Sequence, residues 1–417
     1  MHYAFFILHS RFQRVKLQFE YLYLMVSSFS SKDKPEIDTG TEIVYNDEKM
    51  QEAKKMGIIE DRRELHRIPE LERNLPKTMA YLRKSLSDLN CQLVSPMESS
   101  LCAYFDFGKE STIAFRADCD GLPITEKSGV SFASCHPGKM HACGHDGHMA
   151  ILLELARRLN QKEDLAHNVL LVFQPAEESP GGAEALCETG VLQEFHVRTI
   201  FGLHLWPGLE AGQVFSRTNE LMSRSGELNV DIYGKSSHIA KAELGIDATW
   251  IGVEFYRRAM DLEAGLPKNV FRLLKFGKFQ SGTARNALSA HCHLEGSLRV
   301  FQDEIREYLH QGLLNICADL EAEFGCRTEL YLASGYPALL NPEELCNRVK
   351  QLIPYQELDQ PSMTSEDFSW YQQFVPGMFF FLGLGDTPAL HADTFNFDET
   401  ILVKGADFFE KLAEEFR

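Results

Sequence analysis

The feature of this sequence that most constrains its fold is a set of four short apolar runs, each followed by polar side chains. The runs are continuous rather than alternating, which is typical of strands covered on both faces. Helical patterns separate them, which predicts βαβ units around a mainly parallel sheet flanked by helices. Ligands bind beyond the carboxyl ends of such strands, so the polar residues are expected to converge on one site. The runs cover residues 112–115, 168–173, 199–203 and 378–382.

The middle of the chain has a different pattern, which predicts a second, smaller α+β unit. Apolar and polar residues alternate over 227–233 and 290–300, and 246–260 is an amphipathic helical pattern. The sheet-building pattern then resumes, so the smaller unit is expected to be an insertion. The predicted division is an N-terminal extension, a main domain in two parts and the inserted domain, at 1–48, 49–221, 335–417 and 222–334.

Two helices are expected before the first apolar run. The first covers residues 58–68 and ends at Pro69, and the second covers 77–89.

Charge and hydropathy argue against two classes of protein. Lys and Arg total 42 against 60 Asp and Glu, and the net charge of −18 disfavours nucleic-acid binding. No stretch approaches the roughly 18–20 apolar residues of a membrane-spanning helix, so we expect a soluble protein without a membrane partner. The ten cysteines include no CxxC pair. A chain of this length needs no disulfides, so we expect reduced thiols and a cytoplasmic location.

Residues 1–48 differ from the rest of the chain. The first 31 residues are apolar and aromatic, but Arg11, Arg14 and Lys16 interrupt them, and no small-residue cleavage site of a secretory signal follows. We interpret this segment as an N-terminal extension, either disordered or the product of an early start codon, rather than as a targeting signal.

The densest group of potential metal ligands is HACGHDGH at 141–148. Cys143 and His145 are expected on a glycine-rich loop that opens a helix, where both can reach one metal site. Cysteine binds metal as the thiolate, a form that a nearby cation favours. The first two histidines have the spacing of HExxH, but Ala142 replaces the glutamate and argues against that type of zinc site. His148 alone is interpreted as a helix-start or packing residue.

A second polar segment, QPAEESPGGA at 174–183, directly follows the second apolar run. Its two adjacent carboxylates cannot easily point the same way, so one suits metal binding and the other general base catalysis. His204 and His391 each follow a further apolar run. Asp118 and Asp120 follow the first run, where one of them could orient a ligating histidine.

These segments contain more candidate ligands than one catalytic zinc ion uses, which is usually three. Five protein ligands suit two metal ions about 3.5–4 Å apart with one shared ligand. The candidates are Cys143, His145, Glu178, His204 and His391.

The motifs closely resemble the binuclear-metal amidohydrolases that include aminoacylase, hippurate hydrolase, carboxypeptidase G-type enzymes and the indole-acetyl-amino-acid hydrolases. The match is nearest to the subfamily with a cysteine as bridging ligand, and it covers about 58–416. The resemblance implies a zinc-exopeptidase-like catalytic domain with an inserted lid and dimerisation domain, and hence a homodimer formed through the insertion. Five motifs carry it in the family's order and approximate spacing, at 116–123, 140–148, 173–183, 202–206 and 364–368.

The resemblance also implies roles for the candidate metal ligands and their neighbours. Cys143 would bridge two divalent metal ions (zinc, manganese or cobalt), and the other four candidates would complete their coordination. Glu177 would be the general base that activates the bridging water and then donates its proton to the leaving amine. Asp120 would support the ligands without binding metal itself.

Three residues of the inserted domain match residues that bind substrate in the family. By resemblance, His238 would polarise the scissile carbonyl, often in the site of a neighbouring subunit. Asn286 and Arg299 would hold the carboxylate of the substrate, a task that suits an arginine fork.

The predicted activity is hydrolysis of the amide bond of an N-acyl amino acid, with an acetyl or benzoyl group as the acyl part. One alternative is a deacetylase dedicated to a biosynthetic intermediate such as N-acetyl-diaminopimelate. Two further alternatives are a metal-independent cysteine hydrolase that uses Cys143 and a non-catalytic homologue that binds metal.

Overall fold

The computed structural model describes the backbone of residues 47–417 and the side chains from residue 57 onward. The predicted extension at 1–48 therefore lies outside the described residues, except for its last two. Residues 52–417 form one compact unit. Within the described part of the chain, no helix combines the length and apolar character needed to cross a membrane.

The helices and strands are labelled in chain order. The helices are α1 (Asp47–His66), α2 (Pro76–Leu86), α3 (His145–Leu159), α4 (Ala183–Glu188), α5 (Val191–Glu194), α6 (Ala248–Ala264), α7 (Asp303–Phe324), α8 (Glu343–Leu352) and α9 (Leu402–Glu415). Short 3₁₀ segments cover Ile239–Leu244, Asp367–Gln373 and Glu399–Ile401. The strands are β1 (Gln92–Val94), β2 (Leu101–Phe105), β3 (Thr112–Asp118), β4 (Asn168–Gln174), β5 (Val197–Trp206), β6 (Val214–Ser216), β7 (Asn219–Met222), β8 (Arg224–Tyr233), β9 (Arg272–Ser281), β10 (His291–Val300), β11 (Arg327–Leu332), β12 (Leu339–Asn341), β13 (Gln356–Glu357) and β14 (Gly377–Gly383).

The larger sheet has eight strands in the order β1-β2-β4-β3-β5-β14-β6-β13. Its central strands β4, β3, β5 and β14 are parallel to one another. The edge strand β1 and its neighbour β2 are antiparallel, and so is the pair of β14 and β6. The prediction of a mainly parallel, mixed α/β sheet is confirmed.

Both faces of the larger sheet are covered, which explains its continuous apolar runs. Every residue of β3, β4 and β14 is buried. One apolar cluster joins the sheet to α1, α2, α3 and α9, and a second cluster joins it to α4, α5 and the segment Asp367–Gln373. The four predicted runs all lie within the central strands.

The smaller sheet is antiparallel, with the order β11-β8-β10-β9. Helices α6 and α7 share an apolar cluster with one face of this sheet. On β8, Leu228, Val230 and Ile232 face this cluster, and the residues between them lie on the opposite face. The predicted alternation and the amphipathic helix are confirmed, while the domain limits at 222 and 334 stay a prediction.

Both N-terminal helices end earlier than the sequence pattern suggests. Helix α1 ends at His66, and the amide of Ile68 bonds to the carbonyl of Leu65 in a tight turn before Pro69. A residue before proline is disfavoured in the helical conformation. Helix α2 begins with Pro76, a position that tolerates proline because its amide would be unpaired.

Candidate metal centre

The carboxyl ends of the central parallel strands bring the five predicted metal ligands together. Ligand atoms of Cys143, His145 and Glu178 all lie within 4.8 Å of one another. His204 Nε2 is 3.4 Å from Cys143 Sγ, and His391 Nε2 is 3.1 Å from Glu178 Oε1. Residues separated by up to about 250 positions in the sequence thus form one cluster of thiol, imidazole and carboxylate groups.

The local backbone at Gly144 places the first two candidate ligands. Gly144 precedes α3 with φ 86°, a left-handed conformation that favours glycine. A Cβ at this position would also lie 3.2 Å from the side chain of Leu205. Helix α3 begins at His145, so Cys143 is on the predicted loop but His145 is already the first helical residue. The prediction of a loop position for His145 is wrong by this one residue.

Hydrogen bonds from the Nδ1 atoms fix the orientation of two candidate histidines. His145 Nδ1 donates to the carbonyl of Asp120 at 2.8 Å, and His204 Nδ1 donates to the carbonyl of Leu205 at 2.7 Å. The other nitrogen of each ring, Nε2, then carries a lone pair that can bind a metal ion. His145 Nε2 is buried and has no hydrogen-bond partner. Buried polar atoms are rarely left unpaired, so this donor set fits a metal ion.

The thiol of Cys143 also needs a cation nearby if it is to bind metal as a thiolate. Burial, together with the negative charges of Glu178 and Glu177, raises its pKa well above the ordinary value. A thiolate at this position therefore needs a positive charge beside it, which a bound metal ion supplies.

Asp120 holds the backbone of the two adjacent glutamates. Its two carboxylate oxygens accept hydrogen bonds from the amides of Glu177 and Glu178, at 2.9 and 3.1 Å. Its backbone carbonyl holds His145. Asp120 thus links the loop after β3 to the loop after β4 and to the start of α3.

Glu177 is the buried carboxylate of the adjacent pair, with an exposed fraction of 8%. Its carboxylate lies within 4.8 Å of the carboxylates of Glu366 and Asp367. Burial, followed by the negative charges of Glu366, Glu178 and Asp367, raises the pKa of Glu177 well above its usual value. A carboxylate with a raised pKa is suited to take up a proton and give it back.

A buried arginine lies behind Glu177, and the sequence analysis did not identify its role. Arg116 Nη2 is 2.8 Å from Asp367 Oδ1 and 3.1 Å from Glu366 Oε1. Arg116 Nη1 donates to Asp118 Oδ2 at 2.9 Å. The sequence contains one indication of this network, the position of Arg116 directly after an apolar run. A charged side chain in a buried strand needs partners of opposite charge.

His148 belongs to the same region but is not available as a metal ligand. Its Nδ1 donates to Asp118 Oδ1 at 2.6 Å, and its Nε2 accepts from the amide of Leu205 at 2.9 Å. Burial lowers the pKa of His148, which favours the neutral ring that this pattern requires. The structure therefore places His148 in a packing role.

The three candidate residues of the predicted inserted domain are not part of this cluster. His238 and Asn286 are exposed and adjacent to each other, since the amide of Ile239 donates to the carbonyl of Asn286 at 3.0 Å. Among residues 57–417, no hydrogen bond or ion pair joins either side chain to the metal-ligand candidates. Arg299, on β10, donates from Nη1 to Ser365 Oγ at 3.0 Å. Arg299 thus contacts the segment that also carries Glu366.

Two comparisons of sequence place the chain among known hydrolases. The family model for peptidase family M20/M25/M40 matches residues 114–415. An uncharacterized hydrolase of Staphylococcus saprophyticus is 31% identical over 376 residues, which cover 86% of this chain and 97% of the relative. A similar uncharacterized hydrolase of Staphylococcus haemolyticus is 32% identical over 373 residues, covering 85% of this chain and 97% of that protein.

Solved structures agree with these sequence relationships. A putative aminohydrolase from methicillin-resistant Staphylococcus aureus superimposes with a TM-score of 0.80 and 28% identity, covering 87% of this chain and 97% of that one. The Bacillus subtilis protein YXEP, described as a dinuclear metal binding peptidase, gives a TM-score of 0.76 and 29% identity, covering 87% and 98%. Together with the match of the family model, these similarities show that the chain belongs to peptidase family M20/M25/M40.

Proposed function

We propose that this protein is a metal-dependent amidohydrolase that cleaves the amide bond of N-acyl amino acids, with N-acetyl or N-benzoyl groups as the acyl part. The observation that carries the proposal is the cluster of five ligands with Glu177 buried beside it. A thiol, three imidazoles and a carboxylate are a metal-binding set, and the adjacent carboxylate of raised pKa is a candidate base.

The proposed cofactor is a pair of divalent metal ions, zinc, manganese or cobalt, with Cys143 as the shared ligand. The description of the Bacillus subtilis relative as a dinuclear metal binding peptidase supports two ions rather than one. When bound, the ions would polarise the acyl carbonyl and lower the pKa of a water molecule. Ligand types alone do not choose among the metals, although a thiolate favours softer ions.

The residues of the chain would supply the proton transfers. Glu177 would accept a proton from the attacking water and return it to the leaving amine. Its backbone is held on two sides, because its amide donates to Asp120 and its carbonyl accepts from the hydroxyl of Tyr336 at 3.1 Å. This anchoring keeps the carboxylate in one position during both transfers.

Recognition of the substrate carboxylate is assigned to Arg299 and Asn286, and polarisation of the acyl oxygen to His238. Arg299 is half-buried, and the only hydrogen bond of its guanidinium group among the described residues is to the neutral hydroxyl of Ser365. A guanidinium group has five donors. Arg299 is therefore a cation with free donors, which a carboxylate of the substrate would satisfy.

We also propose a homodimer formed through the smaller sheet. Trp250, Val253 and Tyr256 on α6 and Phe279 on β9 are exposed apolar side chains, with exposed fractions of 36–53%. Strand β9 is at the edge of its sheet, so its outer backbone groups have no partner strand within residues 47–417. Contiguous apolar surface beside an open strand edge is typical of an interface.

Charges at the rim of this surface favour a second copy as the partner. Arg257 and Asp261 lie beside Val253 and Tyr256 on the same groove. Arg257 and Asp261 form an ion pair with each other at 2.7 Å, and a two-fold axis through the groove would let each of them also approach the opposite charge of the other copy.

The first test measures activity on a panel of N-acetyl and N-benzoyl amino acids, including N-acetyl-diaminopimelate, before and after chelation. We expect activity to be lost with the metal and restored when metal is added back. Activity on the diaminopimelate derivative alone would favour the dedicated deacetylase. Activity that is insensitive to chelation would contradict the proposal and favour a cysteine nucleophile.

The second test replaces the base. Glu177→Gln keeps the size of the side chain but cannot carry the proton, so kcat should fall by about 10²–10⁴-fold with metal content unchanged. Glu210→Gln, at an exposed position, is the control and should retain full activity. Wild-type activity of Glu177→Gln would refute the assignment of the base. Two bound metals in a wild-type protein without activity on the panel would favour the non-catalytic alternative.

A further inference from the structure

The residue directly before the proposed base has a strained backbone. Ala176 has φ 60°, in the left-handed region that residues with a side chain rarely adopt. It is buried, and its methyl group offers no hydrogen bond that could compensate for this conformation. Such strain persists only where the surrounding structure over-determines it, and it is concentrated at functional sites. The contacts that hold Ala176 therefore indicate what fixes the adjacent carboxylate of Glu177.

Three hydrogen bonds hold the backbone around Ala176. The carbonyl of Ala176 accepts from the amide of Gly181 at 3.0 Å, which closes the loop that carries Glu177. The amide of Glu177 donates to Asp120 Oδ1 at 2.9 Å, and the carbonyl of Glu177 accepts from the hydroxyl of Tyr336 at 3.1 Å. The first two partners lie in loops that follow strands of the larger sheet, whereas Tyr336 follows β11 of the smaller sheet.

Tyr336 is itself fixed to the smaller sheet. Its amide donates to Ser225 Oγ at 2.9 Å, and its carbonyl accepts from the amide of Ser225 at 3.3 Å. The preceding Gly335 has φ 58°, and a Cβ there would lie 1.8 Å from the carbonyl oxygen of Ser225, an approach that only glycine permits. The ring of Tyr336 also packs against Gly181, where a Cβ would lie 2.9 Å from Cε1 of the ring. Backbone bonds to β8 and packing of the ring thus direct the hydroxyl at Glu177.

We propose that Tyr336 is a positioning residue for Glu177, which holds the left-handed backbone at Ala176 and so fixes the carboxylate of the base from the side of the smaller sheet. This inference rests on the proposed function, in which Glu177 transfers protons. Without the hydroxyl, the loop could relax at Ala176 toward a less strained conformation, and the carboxylate of Glu177 would move with it. Misplacement of a reacting group by roughly 1 Å can reduce a rate about 10²-fold.

The first test compares two tyrosine variants on the best substrate of the N-acyl amino acid panel. Tyr336→Phe removes the hydroxyl and keeps the ring, so it should lower kcat about 10–100-fold with KM within about twofold of wild type. Tyr81→Phe is the matched control, because it removes a hydrogen bond of 2.8 Å to Asp61 that joins α2 to α1. This control should keep the kcat of wild type, and both variants should keep its metal content. Equal kcat values for the two variants would overturn the proposal.

A double-mutant comparison tests whether the hydroxyl acts through the strained residue. Glycine adopts positive φ at no steric cost, so Ala176→Gly makes the left-handed conformation less dependent on outside contacts. The loss of kcat caused by Tyr336→Phe should therefore be at least about threefold smaller in the Ala176→Gly background than in the wild-type background. A purely structural hydrogen bond would not show this rescue. An equal loss of kcat in both backgrounds would overturn the proposal.

Amide hydrogen exchange of the full chain distinguishes this inference from the proposed function. For a peptide that covers 174–182, Tyr336→Phe should raise the exchange rate about 2–10-fold, the effect of one lost hydrogen bond. Tyr81→Phe should leave the exchange rate of this peptide unchanged. If wild type hydrolyses no member of the panel, the proposed function fails, but faster exchange in Tyr336→Phe still supports the role of Tyr336 in holding the loop. Unchanged exchange in Tyr336→Phe would overturn that role, whatever the activity.

Discussion

Replacing Gly182 with alanine tests whether the turn after β4 fixes the positions of Glu177 and Glu178, the proposed base and the proposed metal ligand. A Cβ at Gly182 would lie 1.8 Å from the carbonyl oxygen of Pro175, whereas ordinary contact begins at 3.4 Å. The backbone segments would therefore have to separate by roughly 1.6 Å, the difference between these two distances. Because the contact is with backbone, no side-chain rotation can relieve it. Pro175 precedes Glu177 by two residues, so the shift would reach the proposed base.

The expected loss of stability follows from the hydrogen bonds that this turn makes. The amides of Gly182 and Ala183 donate to Asp367 Oδ2 at 2.9 and 3.0 Å. Hydrogen bonds to charged groups contribute about 1.5–3 kcal/mol each. A separation of the turn would break both, so the free energy of unfolding should fall by about 3–6 kcal/mol. Asp367 would then keep fewer partners for its buried charge, which adds to the effect.

The assay is urea unfolding of chelated protein, so that metal binding does not contribute to the measured stability, together with the metal content of the untreated protein. Gly277→Ala is the matched control, because nothing lies within 4 Å of a Cβ at that position in β9. The free energy of unfolding of Gly277→Ala should differ from that of wild type by less than about 1 kcal/mol. Gly182→Ala with stability within 1 kcal/mol of wild type and full metal content would refute the reasoning.

Three further predictions follow from named contacts. Arg116→Met leaves buried carboxylates without their counter-ion, so in urea unfolding it should lower the free energy of unfolding by about 3–5 kcal/mol. The control Arg63→Met removes a half-exposed ion pair and should lower the free energy of unfolding by less than about 1 kcal/mol. A similar loss of stability in both variants would contradict the role of Arg116 as the counter-ion of the buried carboxylates. Burial raises the pKa of Glu366 to about 8, so its contribution to stability is complete below about pH 4.5 and is lost as pH rises toward 8. In chelated protein the free energy of unfolding should therefore decline by up to about 1.4 kcal/mol per pH unit over this range. Glu366→Gln should remove this decline, and an unchanged dependence of stability on pH in that variant would contradict the raised pKa of Glu366. Val253→Arg should convert the proposed dimer to a monomer in light scattering, and a monomeric wild type would refute the interface.

The metal centre was predictable because topology alone brings its residues together. Strands β3, β4, β5 and β14 are parallel neighbours, so the residues after their carboxyl ends must meet at one edge. Continuous apolar runs identified these strands, and Glu178, His204 and His391 follow them, whereas Cys143 and His145 were identified from the histidine-rich segment at the start of α3. No knowledge of side-chain packing was needed for that step.

The charge network behind the metal centre could not be predicted in the same way. Arg116 and Asp367 are 251 residues apart in sequence and contact each other through side chains. Sequence patterns show that a buried arginine needs anionic partners, but not which ones. His148 illustrates the same limit, since only the structure shows that both of its ring nitrogens are already bonded.

The arrangement of the two sheets also depends on side-chain contacts between residues that are far apart in sequence. Arg299 extends from β10 to Ser365, next to Glu366, and Tyr336 reaches from the end of the smaller sheet to the carbonyl of Glu177. The first contact connects the inserted unit to the segment that carries Glu366, and the second comes from Tyr336, beyond the predicted limit of the insertion at 334, and holds the backbone of the proposed base. A substrate carboxylate that draws Arg299 away from Ser365 would therefore act on the same segment that positions Glu366 beside Glu177. The proposed substrate recognition at Arg299 and the proposed proton transfer at Glu177 would thus be linked through residues 365 and 366.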